Sequence, residues 1–191
     1  MNLKEEKYAK YFLVQEMMGT VPTVAKFDPD CSKFVADSVR KTGRIMFSGE
    51  GSSRLLPAKN ARKVALTWGL ATEVQNDGSH QAAGYDLSRF NVLGDSNSGR
   101  TTEALLLARK LQAEGHKDCF SLSANPDTPI QQACTSGHVL GCGWEEAVAA
   151  TKSVVEQALF CESIFWHLAG KDMKKVLAGL PEKIEEALTL E

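Results

Sequence analysis

Short, continuously apolar runs recur through the middle of the chain, each ended by small residues and followed by a helical pattern: "RIMFS" before "GEGSS", "FNVLG" before "DSNSG", and "KDCFSLSAN". A strand that is apolar at every position has both faces buried, and such strands alternating with helices belong to parallel sheets. This predicts an α/β three-layer sandwich whose five-stranded parallel sheet is flanked by helices, with "ATEV" and "SGHVLGC" as the remaining strands. Helical periods fall on "RLLPAKNARKVALTW", "RTTEALLLARKLQAEG" and "AATKSVVEQALFCESIFWHLAG". Before the sheet, apolar residues at three- and four-residue steps from Tyr8 to Met18 predict a helix ended near Gly19, and "DPDCSKFVADSVRKTG" predicts a second one stopped at Gly43.

The whole of 1–191 reads as a single domain: N-terminal helices over 1–43, an α/β core over 44–170 and a helical tail over 171–191. A chain of 191 residues that is 43 % hydrophobic can bury one substantial core. With 22 basic against 24 acidic residues and no long run of like charge, neither nucleic acid nor an anionic membrane surface is indicated. No apolar stretch reaches the roughly 18 to 20 residues that span a bilayer, and "MNLKEEKYAK" is charged where a signal peptide is apolar. The expected location is the cytoplasm. Five widely spaced cysteines then read as reduced thiols rather than a disulfide framework. Cys134, His138 and Cys142 are the most metal-like grouping, but Thr, Ser and Gly between them argue against a shared helix face, so no metal site is expected.

Ligands of open α/β sheets bind at the carboxyl ends of strands, where loops lead into helices. Two serine-rich loops occupy such positions here. Each precedes a helix, whose first N–H groups and positive dipole end favour an anion. Small residues allow close approach, and the hydroxyls of Ser52, Ser53, Ser96, Ser98 and Thr101 add hydrogen bonds suited to a phosphate. Helix capping alone would use fewer of them. The loops lack GxxxxGK[ST], and "GEGSSR" does not complete GxGxxG, which demotes nucleotide and dinucleotide binding.

The stretches "FSGEGSSRLLPAKNARKVAL", "VLGDSNSGRTTEALLLARKLQAEG" and "GWEEAVAATKSVVEQALF" resemble, in order and spacing, the sugar isomerase (SIS) domain family, in particular the first SIS domain in the isomerase half of glucosamine-6-phosphate synthase. The resemblance spans about Arg44 to Phe160. It implies a phosphosugar-binding fold without metal or organic cofactor. By correspondence with the family's motifs, Ser53 with Ser52, then Ser96, the Asn97 backbone, Ser98 and Thr101 would hold the phosphate, while Val148 and Ala150 would touch the sugar body. Glu145 and Lys152 match an acidic residue and a lysine of the third motif. Arg54 and Arg100 are departures, standing where the synthase has an aromatic and an acidic residue. The two-domain relatives take their catalytic glutamate, histidine and a further lysine from a second domain and tail that have no counterpart here.

Aldose–ketose isomerisation needs a base to move a proton between C1 and C2. The candidates are Glu50, Glu145, Glu146 and His80, with Glu145 favoured because it lies in the sugar-contacting motif; His116 and His167 read as structural. The sequence therefore predicts a phosphosugar-binding protein, an aldose–ketose isomerase or aminosugar-phosphate enzyme acting on a hexose or aminohexose 6-phosphate. A homodimer is expected, since the apolar face of "VVEQALFCESIFWHL" is broader than one sheet requires. The alternatives are a non-catalytic phosphosugar-binding module, or one half of a split or truncated two-domain enzyme, with a nucleotide-binding Rossmann-like protein as the weakest.

Overall fold

The computed structural model describes residues 2–190 and consists of a five-stranded, all-parallel sheet between two layers of helices. In chain order the elements are α1 (Phe12–Lys26), α2 (Lys33–Thr42), β1 (Arg44–Gly49), α3 (Gly51–Thr67), β2 (Glu73–Gly78), α4 (Ser79–Ala82) and β3 (Asn91–Asp95). They continue as α5 (Thr102–Ala113), β4 (Cys119–Ser123), α6 (Pro129–Ala133), β5 (Ser136–Val139), α7 (Lys152–Leu168), α8 (Lys174–Leu177) and α9 (Leu180–Thr189). The strands lie in the order β2-β1-β3-β4-β5. Among the described residues no helix is long and apolar enough to cross a membrane.

Alternate residues of the buried strands feed opposite faces. Ile45, Phe47, Leu93, Phe120 and Leu122 point to the face covered by α2, α3 and α7, whereas Met46, Val92 and Cys119 point to the face covered by α4 and α5. This division is why the strands are apolar throughout: neither face reaches water. β2 is different. As an edge strand it buries little beyond Val74 and Gly78, so its sequence "EVQNDG" carries no apolar run, and it extends beyond the expected "ATEV" to Gly78.

Four further expectations are revised. Gly19 does not end α1, which continues through Gly19 and Pro22 to Lys26; tertiary packing of Glu16, Thr20 and Val24 on the protein's interior overrides the local breaker. Residues 51–53 form the first turn of α3 rather than an extended loop. The short helix α6 adds to the expected elements; its capping signal is Gln131 Oε1 accepting the Thr128 N–H at 3.1 Å. The broad face of α7, which in the sequence suggests a second copy, is covered within the chain. Its inner side packs on the sheet, and Leu159, Val155 and Trp166 pack with Val24 of α1, Met173 just before α8, Leu177 of α8 and Ile184 of α9.

Phe160 sits at the centre of the α7 layer, fully buried, 6.4 Å from the Phe34 ring and stacked on His138 at 5.1 Å. Burial among these groups also holds His138 below the usual imidazole range, with Glu156 opposing. Phe160→Ala should reduce the unfolding free energy by about 3–5 kcal/mol, measured by urea titration. A loss below about 1 kcal/mol would contradict this packing.

Candidate functional site

In a sheet of order 2-1-3-4-5 the chain leaves β1 and β3 in opposite directions, opening a crevice at their carboxyl ends. The two serine-rich segments converge there. β1 and β3 pair directly, Gly49 beside Asp95, and Gly49 is required because a Cβ would stand 2.6 Å from the Asp95 carbonyl oxygen. One step on, Glu50 precedes α3, whose first turn carries the exposed Ser52 and the half-buried Ser53. Ser53 Oγ accepts a hydrogen bond from Gln157 Nε2 of α7 at 3.2 Å.

The segment 96–101 is a compact turn before α5. Ser96 Oγ and Thr101 Oγ1 lie 2.8 Å apart, and the Gly99 N–H donates to Ser96 O at 2.8 Å. Ser98 Oγ accepts from the Arg100 N–H at 3.2 Å, and Asn97 O accepts from the Ala124 N–H at 2.9 Å. Gly99 has φ +64°, and a Cβ would stand 2.3 Å from Thr128 Cβ, so both backbone conformation and space demand glycine. Ser96 is buried, Asn97, Ser98 and Thr101 are half-buried, and Arg100 is exposed.

The connection from β5 to α7 completes the rim, and three buried carboxylates hold it. Glu156 accepts the Gly141 and Cys142 N–H groups at 2.8 and 2.7 Å. Glu16 of α1 accepts the Glu146 and Ala147 N–H groups. Glu145 accepts the Thr151 N–H at 2.9 Å, Thr151 Oγ1 at 2.8 Å, the Ser153 N–H, Ser153 Oγ and, at 3.4 Å, Asn97 Nδ2. Burial pushes the Glu145 carboxyl up, but the hydrogen bonds from Ser153 and Thr151 outweigh it and hold the group below the usual range. Val148 is fully exposed and Ala150 half-buried on this connection.

No family model and no curated protein matches the chain; solved structures do. A candidate phosphosugar isomerase from Silicibacter pomeroyi DSS-3 superimposes with TM-score 0.74 at 21 % identity, over 91 % of this chain and 55 % of that one. The C-terminal domain of glucosamine-fructose-6-phosphate aminotransferase from Francisella tularensis gives TM-score 0.70 at 16 % identity, over 95 % of this chain and 55 % of that one. This chain has the SIS fold. It spans about half the length of those two proteins. An Escherichia coli CFT073 protein in complex with arabinose 5-phosphate superimposes with TM-score 0.68 at 19 % identity over 90 % of this chain and 94 % of that one.

The remaining candidate bases lie around the crevice unevenly. Glu50 is at the tip of β1, where its Oε1 accepts the Ser79 N–H at 2.9 Å; His80, next in α4, is exposed. Glu146 is exposed on the β5–α7 connection. His116 and His167 are tied to carbonyl oxygens of Leu87 and Pro29 at 3.0 and 2.8 Å. Arg54 turns towards Asp77, 3.7 Å away, and Lys152 packs near Gly19. Cys134, His138 and Cys142 diverge: Cys134 faces Cys119, His138 stacks on Phe160, and Cys142 donates towards Gly143 O.

Two residues of the crevice escaped the sequence reading. Gln157 is fully buried with its Oε1 unpaired, and Asp95, the last residue of β3, is 4 % exposed with neither carboxyl oxygen hydrogen-bonded within the chain. Burial alone pushes the Asp95 carboxyl well above its ordinary range, and together with burial it raises the nearby Cys161 thiol. The signal available in the sequence was an acidic residue ending an otherwise apolar strand. Folded Asp95 therefore keeps a proton that the unfolded chain releases near pH 3.9. This contribution to stability is complete at low pH and is lost as pH rises, by up to about 1.4 kcal/mol per unit until the folded group itself titrates. Asp95→Asn should remove that slope, so its gain over wild type in urea midpoint should grow between pH 4 and 8. Parallel curves for the two proteins would place an ionised Asp95 in the fold.

Proposed function

We propose that this protein binds a sugar phosphate across the carboxyl ends of β1 and β3 and interconverts its aldose and ketose forms, with a hexose or aminohexose 6-phosphate as substrate. The observation that carries the reading is the convergence of two hydroxyl-rich turns, 51–53 and 96–101, at the N-termini of α3 and α5 beside the same crevice. A phosphate dianion there would meet the N–H groups of both helix starts and the hydroxyls of Ser52, Ser53, Ser96, Ser98 and Thr101, with the Asn97 backbone beside them. Val148 and Ala150, on the connection pinned by the three glutamates, would face the sugar body. The arabinose 5-phosphate complex of the E. coli protein, which the alignment covers almost throughout, supports a phosphosugar as the ligand of a unit this size.

For the chemistry, Glu145 is proposed as the residue that positions the sugar-contacting connection, since its oxygens are already engaged by five donor groups. Glu50 takes the role of base in this reading. Its Oε1 is anchored on Ser79, next to His80, and it borders the first serine turn. A homodimer is the proposed working state, supported by the exposed Trp144 on the rim, and the cytoplasm is the proposed location. The engagement of Glu145 also favours a second reading, a phosphosugar-binding module without turnover.

Fructose 6-phosphate or glucosamine 6-phosphate should raise the melting temperature. Ser98→Ala combined with Thr101→Ala should weaken binding about 10- to 100-fold, through loss of hydrogen bonds to a charged group. Unchanged affinity would remove the phosphate assignment. Proton exchange at C1 and C2 of a bound sugar phosphate, followed by NMR, should proceed in the wild type and fall at least about 100-fold in Glu50→Gln, which keeps an oxygen for the Ser79 N–H. Binding without exchange in the wild type would leave the non-catalytic module.

A further inference from the structure

On the sheet face opposite α7, two cysteines meet with their Sγ atoms 3.3 Å apart. Cys119 opens β4, buried beside Val92, Leu107 and Leu111; Cys134 follows α6, half-buried against the same cluster. The Thr135 N–H donates to Cys119 O at 2.8 Å and holds the two segments side by side. Cys134 has extended backbone, φ −99° and ψ 160°, beyond the last helical residue, so its side chain can shift without unwinding α6. Closing the gap from 3.3 Å to the roughly 2.05 Å of a disulfide is a small movement. Either sulfur can donate the S–H that joins them, and Cys134, half-buried, gives a small solute access to the pair.

We propose that Cys119 and Cys134 form a reversible oxidation site, closed to a disulfide by hydrogen peroxide. One of the two sulfurs, as thiolate, attacks one peroxide oxygen, the O–O bond breaks, and the departing hydroxide takes a proton to become water. The other sulfur then attacks the resulting sulfenic acid. An S–S bond forms, the S–O bond breaks, and a second water leaves with the proton of the second thiol. Two thiols have lost two electrons to one peroxide.

The bond would tie the end of α6 to β4, and α6 bears on the turn at 96–101. Thr128, just before α6, packs on Gly99, and the Ile130 N–H donates to Gly99 O at 3.3 Å. Oxidation therefore stiffens that turn as well as α6. The chemistry of the pair stands whether or not the turn holds a phosphate.

The full chain treated with one equivalent of hydrogen peroxide should lose about 2 Da, the two thiol hydrogens. A digest without reductant should join the Cys119 and Cys134 peptides, and dithiothreitol should separate them. Of Cys119→Ser and Cys134→Ser, the variant that keeps the attacking sulfur should stop at a sulfenic acid, captured by dimedone. Amide hydrogen exchange across 128–134 and 96–101 should slow several-fold in the oxidised protein. Should both thiols of the treated wild type still alkylate after unfolding, the oxidation site is overturned, a result that needs no variant to fold. A disulfide with unchanged exchange at 96–101 would overturn the link to the turn.

Discussion

The direct parallel pairing of β1 with β3 governs the rest of the molecule. Parallel neighbours cannot be joined by a tight turn, so each strand is joined to the next by a crossover, and the crossovers must cover both faces because neither is polar. β1 connects outward to β2 and β3 to β4, which leaves their carboxyl ends adjacent with no connection over them. The N-termini of α3 and α5 consequently end side by side. Gly49 lets the two strand ends approach to a distance that no side chain would permit. A crevice with two sets of helix-start N–H groups is thus a product of strand order rather than of any single motif.

What shapes the rim of that crevice is a different interaction. A connection of twelve residues between β5 and α7 would ordinarily be mobile. Here Glu16, Glu145 and Glu156, all buried, receive backbone N–H groups along its length. Burying a carboxylate is unfavourable unless donors replace its water, and the donors here are the amides of the segment to be ordered. The same hydrogen bonds that make the buried charges tolerable fix the backbone around Val148 and Ala150. Asp95 is the contrast. It is buried without donors, which raises its carboxyl well above the ordinary range and costs stability as pH rises, the pattern expected of a residue that serves a site rather than the fold.

Much of this architecture is legible in the linear chain. "RIMFS", "FNVLG" and "DCFSLS" announce buried parallel strands because burial on both faces leaves no polar alternation. The helix that Gly43 stops, and those that begin at "GEGSS" and after "SNSG", follow from caps and period. The edge strand β2 is obscure for the opposite reason: its residues face solvent, and "EVQNDG" could equally be a loop. Gly19 misled because helix α1 is held by packing on α7 and α9, contacts distant in sequence. The width of the α7 apolar face suggested a partner subunit, yet the C-terminal helices of the same chain cover it.

For the site, the sequence alone determined which residues could meet an anion, since small hydroxyl-bearing turns before helices are a local property. Tertiary structure decided which of them share a crevice and what the neighbouring carboxylates do. Glu16 lies 130 residues from the amide it holds, and Asp95 and Gln157 acquire their significance only through burial. A carboxylate's role as base, latch or neutral acid depends on solvent and hydrogen-bond donors brought from distant parts of the chain. Composition and spacing carry no record of that environment.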